Sequence, residues 1–468
     1  GDGGFDFSKG KGEGTRCDFR VTLRQGGDVN CTLNFGKDVQ AGIAREQKAM
    51  ALQKDPDRVE IDTGPLRLAF CTGERWLENA SLEGREMLAE NGAPQASVDF
   101  IRSANYPVGT THPDGKPDPG PVKIEKVEIE ENGPLRTVLR LEGKAICAEP
   151  ARVIMRAEVY RGRSYIRLFH TVEFTQNDPR AAFVRRVGLR LPLALDAGNL
   201  QATAGGAKGA ISLAPSSKFG LRQTSHVSYE AWRAADKGPY REIVESGHAS
   251  RGWMDVSDHN FGLAVVQKNM WQEAPKELVF NRAESSFEIG LWPESSPLMD
   301  VRRYSNYPHQ GQGESASTPE EPGKSAWIES HYKNGPFVGV SRTHESLLYF
   351  HAPKTSPGEI DAVASDFQSQ PLVYAGWPWY ASAGVTYPQP DPTDEKFTQL
   401  NANLDRAADW WMFHQKCWGW YGFWDYGDVR HRFRSGYGRV FPPDTLAKLL
   451  ALPPGQMAKE SPDKLPQI

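Results

Sequence analysis

The sequence is poor in the features that most quickly assign a class. No run approaches the roughly 18 consecutive apolar residues of a membrane span, so no membrane-crossing helix is expected. The five cysteines, Cys17, Cys31, Cys71, Cys147 and Cys417, never stand in C-x-x-C spacing, which argues against a zinc ribbon or a redox dithiol. Their odd number argues against a fully paired disulfide framework. Cys17 and Cys31 lie on neighbouring strand-like runs and are the pair to consider; the alternative is that all five are small buried hydrophobes. Positive charge is not in excess: Lys plus Arg is 55 and Asp plus Glu is 59, for a net charge of −4. A general polyanion binder needs a basic footprint, so a nucleic-acid partner is not expected. No P-loop, dinucleotide fingerprint, nucleophile elbow or H-E-x-x-H helix occurs. Acidic residues do not take calcium-loop spacing. No cofactor and no metal are expected. Residue 1 is Gly and no apolar h-region follows, so no signal peptide is expected within this segment.

What is present is a long, moderately apolar chain. The 468 residues, 39% of them hydrophobic, can bury cores, and the length predicts two or three domains. Strand patterns dominate to about residue 350. Val21 and Leu23, then Val29, Cys31, Leu33 and Phe35, alternate around Gly26-Gly27 as a hairpin. Val59 and Ile61, then Leu66, Leu68 and Phe70, alternate around Gly64-Pro65. The turns at Glu131-Asn-Gly133 and Arg161-Gly-Arg163 separate further long runs, among them Ile166, Leu168, His170, Val172 and Phe174. Long strands joined by Gly/Asn turns, with no helices between, predict antiparallel sheets packed as a sandwich with one wetted face. The period breaks between residues 37 and 54, where a short helix or a linker is expected. Residues 311–324, rich in Pro, Gly and polar side chains, read as a long loop of the kind that often carries function. After residue 390, Phe397, Leu400, Leu404, Ala408 and Trp411 take helical spacing.

Residues able to carry chemistry concentrate between about 292 and 431. Arg302, Arg303, Tyr304, Tyr307 and His309 put two guanidiniums, two phenols and an imidazole within eight residues. Arginine pairs bidentately with carboxylates, and Tyr and His can pass protons. The plain alternative is a solvated strand face. His331, Tyr332 and Lys333 follow, then His344 beside Glu345, where a hydrogen-bonded structural histidine competes with a catalytic one. Seven of the 13 tryptophans (Trp377, Trp379, Trp410, Trp411, Trp418, Trp420, Trp424) fall within 48 residues. With Tyr426 and Asp428 they form the Gly- and Asp-interleaved aromatic pattern of a sugar site, where pyranose C–H faces stack on rings and carboxylates accept hydroxyls. A packed interdomain core uses tryptophan in the same way.

Leu291-Trp-Pro293, Met299-Asp-Val-Arg302, Val340-Ser-Arg-Thr-His-Glu-Ser-Leu-Leu-Tyr-Phe350, Tyr380-Ala-Ser-Ala-Gly-Val385 and Tyr421-Gly-Phe-Trp-Asp-Tyr-Gly-Asp428 occur in an order that resembles the exo-rhamnogalacturonan lyase/YetA-like family of polysaccharide lyases. The resemblance implies a small N-terminal β-barrel, a central β-sandwich of the super-sandwich type and a C-terminal (α/α) toroid. On this chain it implies a barrel remnant and linker over 1–55, the sandwich over 56–385, and the start of a truncated toroid over 386–468. The expected class is mainly β, with a short helical segment at its C-terminal side. The implied activity is β-elimination at a uronate in a pectin-type, rhamnogalacturonan-like chain, with the protein secreted or periplasmic and no membrane partner. That chemistry requires a group to neutralise the uronate carboxylate, a base for H5 and an acid for the leaving oxygen. Side-chain chemistry offers Arg302 or Arg303 for the first, His309 or His331 for the second, and Tyr304, Tyr307 or Tyr332 for the third. Trp377, Trp379, Trp420, Trp424, Tyr426 and Asp428 would hold the sugar. The rival readings are a non-catalytic carbohydrate-binding module or inactive lyase fragment, and a structural domain whose tryptophans are interface core. A glycoside hydrolase built on Asp425 and Asp428 ranks low, because both sit on one short loop. Oligomeric state is left open.

Overall fold

A computed structural model of the protein describes residues 49–90, 92–102, 115–147, 151–175, 183–213, 216–235, 241–301, 338–369, 377–383 and 393–418. The strands are β1 (Ala51–Asp55), β2 (Arg58–Asp62), β3 (Leu66–Cys71), β4 (Leu77–Leu82), β5 (Arg85–Glu86), β6 (Gln95–Arg102), β7 (Lys116–Asp118), β8 (Val122–Asn132), β9 (Arg136–Ala145), β10 (Ala151–Tyr160), β11 (Tyr165–Phe174) and β12 (Phe183–Pro192). They continue with β13 (Gln201–Gly206), β14 (Gly209–Ser212), β15 (Lys218–Ser225), β16 (Ser228–Ala234), β17 (Arg241–Gly247), β18 (Trp253–Ser257), β19 (Gly262–Gln267), β20 (Lys276–Asn281), β21 (Ser286–Trp292), β22 (Met299–Asp300) and β23 (Ser341–His351). Three antiparallel sheets result. The first is a meander of β1 to β5 in chain order. The second runs β14-β13-β18-β19-β23-β11-β10-β9-β8. The third runs β17-β16-β15-β20-β21-β12-β6-β7, with β22 added on β12.

The two large sheets form the expected sandwich, and the sequence explains their pairing. β11 alternates half-buried and buried residues along its whole length, so Ile166, Leu168, His170, Val172 and Phe174 all face inward. The inward rows of both sheets share one core that includes Leu141, Met155, Leu168, Leu189, Phe287 and Ile289. Each fully buried large apolar side chain contributes roughly 1.5–3 kcal/mol. Phe174 of one sheet meets Phe100 of the other edge-on, centroids 6.4 Å apart. On the wetted face, arginines and glutamates pair across strands: Arg156 with Glu130 at 2.7 Å, Arg152 with Glu173 at 3.1 Å, Arg167 with Glu345 at 2.6 Å. Such exposed pairs contribute about 0–1 kcal/mol each and chiefly fix register. The predicted turn at Gly64 is present with φ +104°, and that at Gly162 with φ +68°, both in the region that favours glycine.

One expectation is corrected. Ala51–Asp55 is a strand, not a helix or linker. It pairs with β2, Ala51 opposite Ile61, and Lys54 reaches Glu60 at 3.1 Å. Cross-strand partners outweighed a local pattern that carried no clear period. The barrel remnant, the Cys17–Cys31 hairpin and the 311–324 loop lie outside the described residues.

Among the described residues three α-helices follow β23: α1 (Pro357–Gln368), α2 (Trp377–Ala383) and α3 (Thr398–Trp418). α1 starts on a capping box, with Glu359 N donating to Ser356 Oγ at 3.3 Å and Ser356 N donating to the Glu359 carboxylate at 2.8 Å. Its apolar stripe, Ile360 and Ala364, packs on the outer face of the second sheet against Trp253, Val266 and Leu347. α3 is the helix expected after residue 390, and Leu400 and Leu404 on its apolar face are exposed.

Candidate functional site

Several connections meet at one end of the sandwich. Phe174, closing β11, exchanges backbone bonds with Gly339 and Val340 ahead of β23. Phe183, opening β12, pairs with both Ile101 and Asp300. The flanks of residues 302–337 are therefore anchored at this end. The turn 268–275 also lies in this half of the sandwich, carrying the chain from Gln267 of one sheet to Lys276 of the other. Glu273 N donates to the Asn269 carbonyl at 2.8 Å inside that turn.

A charged cluster fills the interior here. Lys276 is fully buried because it sits in phase with Leu278 and Phe280 on the inward row of β20. Its Nζ lies 2.7 Å from His344 Nδ1 and 3.3 Å from Glu273 Oε2. The same carboxylate oxygen is 3.5 Å from Arg342 and 3.6 Å from His344 Nδ1. His170, in register opposite His344, is also buried, and neither of its ring nitrogens meets a hydrogen-bond partner among the described residues.

Burial and neighbours set the charges. Burial, then the Lys276 charge, hold His344 down to about 3. Burial, with Lys276 adding to it, holds His170 at about 4. Burial lowers Lys276 to about 8, although Glu273 works the other way. Burial alone would raise Glu273, but His344, Lys276 and Arg342 outweigh it and bring the carboxyl to about 2. At neutral pH His170 and His344 are neutral, Lys276 and Arg342 are cations and Glu273 is the anion, leaving one surplus positive charge in this cluster among the described residues. Arg342, with 52% of its side chain exposed, carries this charge to the surface. The arrangement suits an anionic group arriving at this end of the sandwich.

A second buried histidine stands on the same strand but on the other face. His351 Nε2 is 2.7 Å from Asp255 Oδ1, and its Nδ1 donates to the Ala352 carbonyl at 2.9 Å. Burial pulls His351 down, but the carboxylate outweighs it and raises the imidazole. Burial raises Asp255 in turn. The pair is enclosed, and it is a structural clamp at the end of β23. His344 and Glu345, adjacent in sequence, face opposite ways, Glu345 toward Arg167 at 2.6 Å.

Of the residues picked from sequence, Trp377 and Trp379 are in α2. Trp379 is exposed and meets Tyr380 edge-on at 5.9 Å. Arg302, Arg303, Tyr304, Tyr307, His309, His331, Tyr332, Trp420, Trp424, Tyr426 and Asp428 lie outside the described residues. Sequence reasoning missed Lys276 and Glu273. The signal for Lys276 was a lysine in phase with two inward apolar residues. It also missed α1, whose Ser356-Pro-Gly-Glu359 start is a capping-box signature.

Residues 50–201 and 206–365 match the PcRGLX-like protein central beta sandwich domain, and residues 379–436 match the PcRGLX-like protein C-terminal alpha/alpha toroid domain. The chain belongs to the PcRGLX-like family. It is also similar to the uncharacterized protein YetA of Bacillus subtilis strain 168, 22% identical over 452 residues, which cover 84% of this chain and 50% of that protein. The chain thus spans about half the length of this curated relative. Among solved structures, similarity extends to an alpha-mannosidase from Enterococcus faecalis V583 (9% identity, TM-score 0.41, 69% of this chain and 32% of that one). It extends also to the heparan sulfate lyase HepC from Pedobacter heparinus (8% identity, TM-score 0.29, 67% of this chain and 38% of that one). The β-sandwich and the (α/α) toroid expected from the sequence resemblance are the two domains matched.

Proposed function

We propose that this protein belongs to an enzyme that cleaves a uronic-acid-containing, rhamnogalacturonan-like polysaccharide by β-elimination, outside the cytoplasm, where such a polymer is met. The observation that carries the reading is membership of the PcRGLX-like family through both a sandwich and a toroid segment. The surplus positive charge at the anchored end of the sandwich supports it, because the substrate brings a carboxylate there. In this reading a cation neutralises the uronate and makes H5 acidic. A base removes H5, the C4–O bond breaks as the C4=C5 bond forms, and an acid protonates the departing oxygen. Arg302 or Arg303 pairs the carboxylate, His309 or His331 takes the proton, and Tyr304, Tyr307 or Tyr332 gives one. Arg342, Glu273, Lys276 and His344 act as positioning residues that hold the adjoining end of β23 and set the local charge.

The test is ultraviolet absorbance of the unsaturated uronate on incubation with rhamnogalacturonan, ulvan and gum polysaccharides, using this chain and the chain extended through a complete toroid. A rise with at least one polymer is expected. His309→Ala should then slow the rate by about 10²-fold or more without unfolding the protein. No rise with any polymer from the extended chain would sink the lyase reading. The exposed Trp379 and Tyr380 favour, as a second reading, a module that binds sugar without cleaving it; saturable oligouronide binding with no product would point there.

A further inference from the structure

A cleft of about 540 Å³ opens on the outer face of the second sheet, between the turn 268–272 and the C-terminal half of α1. None of Glu273, Lys276, Arg342 and His344 is among its lining residues, although the turn that forms one wall leads directly into Glu273. Its size is that of a small-ligand site. Its walls are fixed in advance. Gln368 at the end of α1 accepts from Asn269 N at 3.1 Å and donates to the Gln267 carbonyl at 2.8 Å. Lys268 Nζ donates to the carbonyls of Phe367 and Gln368, the latter at 2.9 Å. On the other wall Asp361 accepts from Trp253 Nε1 at 2.8 Å and pairs with Arg251. These bonds tie the turn to the helix, which lowers the ordering cost a ligand would meet.

The lining chemistry narrows the ligand. The Arg251 and Asp361 charges cancel, so among the described residues the lining offers no unpaired cation for a carboxylate or phosphate. Asn269, Gln272 and Ser365 line it with side chains that both donate and accept, and Trp271 lines it beside Met270. Gln272 lines the cleft, and its Oε1 is closed to solvent with no hydrogen-bond partner among the described residues, an unmet acceptor beside the cleft. Hydroxyls that both donate and accept, on a ring with an apolar face, meet every one of these features.

We propose that this cleft is a binding site for an uncharged pyranose residue. The choice of a sugar over other neutral polar ligands rests on the carbohydrate-active reading above. The experiment is isothermal titration calorimetry of the protein with methyl α-rhamnoside, cellobiose and digalacturonate, run beside the absorbance assay for elimination. At least one neutral sugar should bind saturably, and digalacturonate should gain nothing from this cleft. Gln272→Leu and Trp271→Ala should each weaken the neutral ligand by tenfold or more while leaving the elimination rate on polymer within twofold. Should either variant fail to fold, Ser365→Trp, at an exposed helix position, fills the cleft without touching the core and should abolish binding. The proposal is overturned if no neutral sugar binds, if binding survives Ser365→Trp, or if the variants weaken digalacturonate instead. Elimination without neutral-sugar binding sinks the cleft alone. Neutral-sugar binding without elimination sinks the lyase reading alone.

Discussion

His344 and His351 lie on one strand, both buried, and their surroundings drive them in opposite directions. On the inner face His344 meets a buried ammonium 2.7 Å away and is held neutral, with its pKa pushed down to about 3. On the outer face His351 meets a buried carboxylate at the same distance and is raised. Burial acts alike on both; the charge of the partner decides the outcome. The inner site keeps a surplus positive charge that opens to solvent through Arg342. The outer pair is closed on itself and clamps the strand before α1.

Acid should expose the difference most strongly. His170 and His344 have folded pKa values depressed to about 4 and about 3. The unfolded chain therefore takes up protons that the folded chain refuses, and stability is lost as pH falls below about 6.5. Each histidine contributes about 1.4 kcal/mol per pH unit, on the order of 5 kcal/mol for the two by pH 4. The outer pair has the opposite sign. Its raised groups stabilise most at low pH, and that contribution is lost as pH rises through their folded values. Urea unfolding between pH 7 and 4 should show a steep acid limb, and His170→Leu should flatten it by about one proton. An unchanged slope would show that His170 is already charged in the fold.

Removing one partner ranks next. Asp255→Ala leaves His351 buried without its carboxylate and should cost about 3–5 kcal/mol at pH 7, read from the urea midpoint. Gly262→Ala should approach the same effect, because its Cβ would stand 2.1 Å from His351 Cε1. Glu273→Gln should cost less, about 1–3 kcal/mol, since that carboxylate is partly exposed. The loss should shrink as pH rises above about 8, where Lys276 deprotonates. A loss independent of pH would contradict the ion-pair account. Smallest is Ser356→Ala, about 1 kcal/mol from the α1 capping box.

The contrast also marks what a sequence can show. The turns at Gly64 and Gly162, the inward row through His170 and the helix after residue 390 follow from period and glycine placement, which are local. Lys276 was visible as a lysine in an apolar phase, but its partner is not. His344 stands 68 residues away and meets it only because the turn 268–275 crosses between sheets. Likewise Asp255 finds His351 across 96 residues through strand order. Strand register sets the second pair and the packing of facing sheets sets the first, and no local pattern encodes either. The aromatic and basic residues chosen for chemistry were selected by type and clustering, which specify neither orientation nor partner.

The most direct measurement compares Arg342→Ala with wild type, in the chain extended through its toroid, by absorbance of unsaturated uronate released from rhamnogalacturonan. Arg342 is half-exposed, so its removal should leave the thermal midpoint nearly unchanged. The account predicts product from wild type and a rate at least tenfold lower from the variant. No product from wild type, or a variant rate within twofold of it, would contradict the claim that this end of the sandwich serves the elimination.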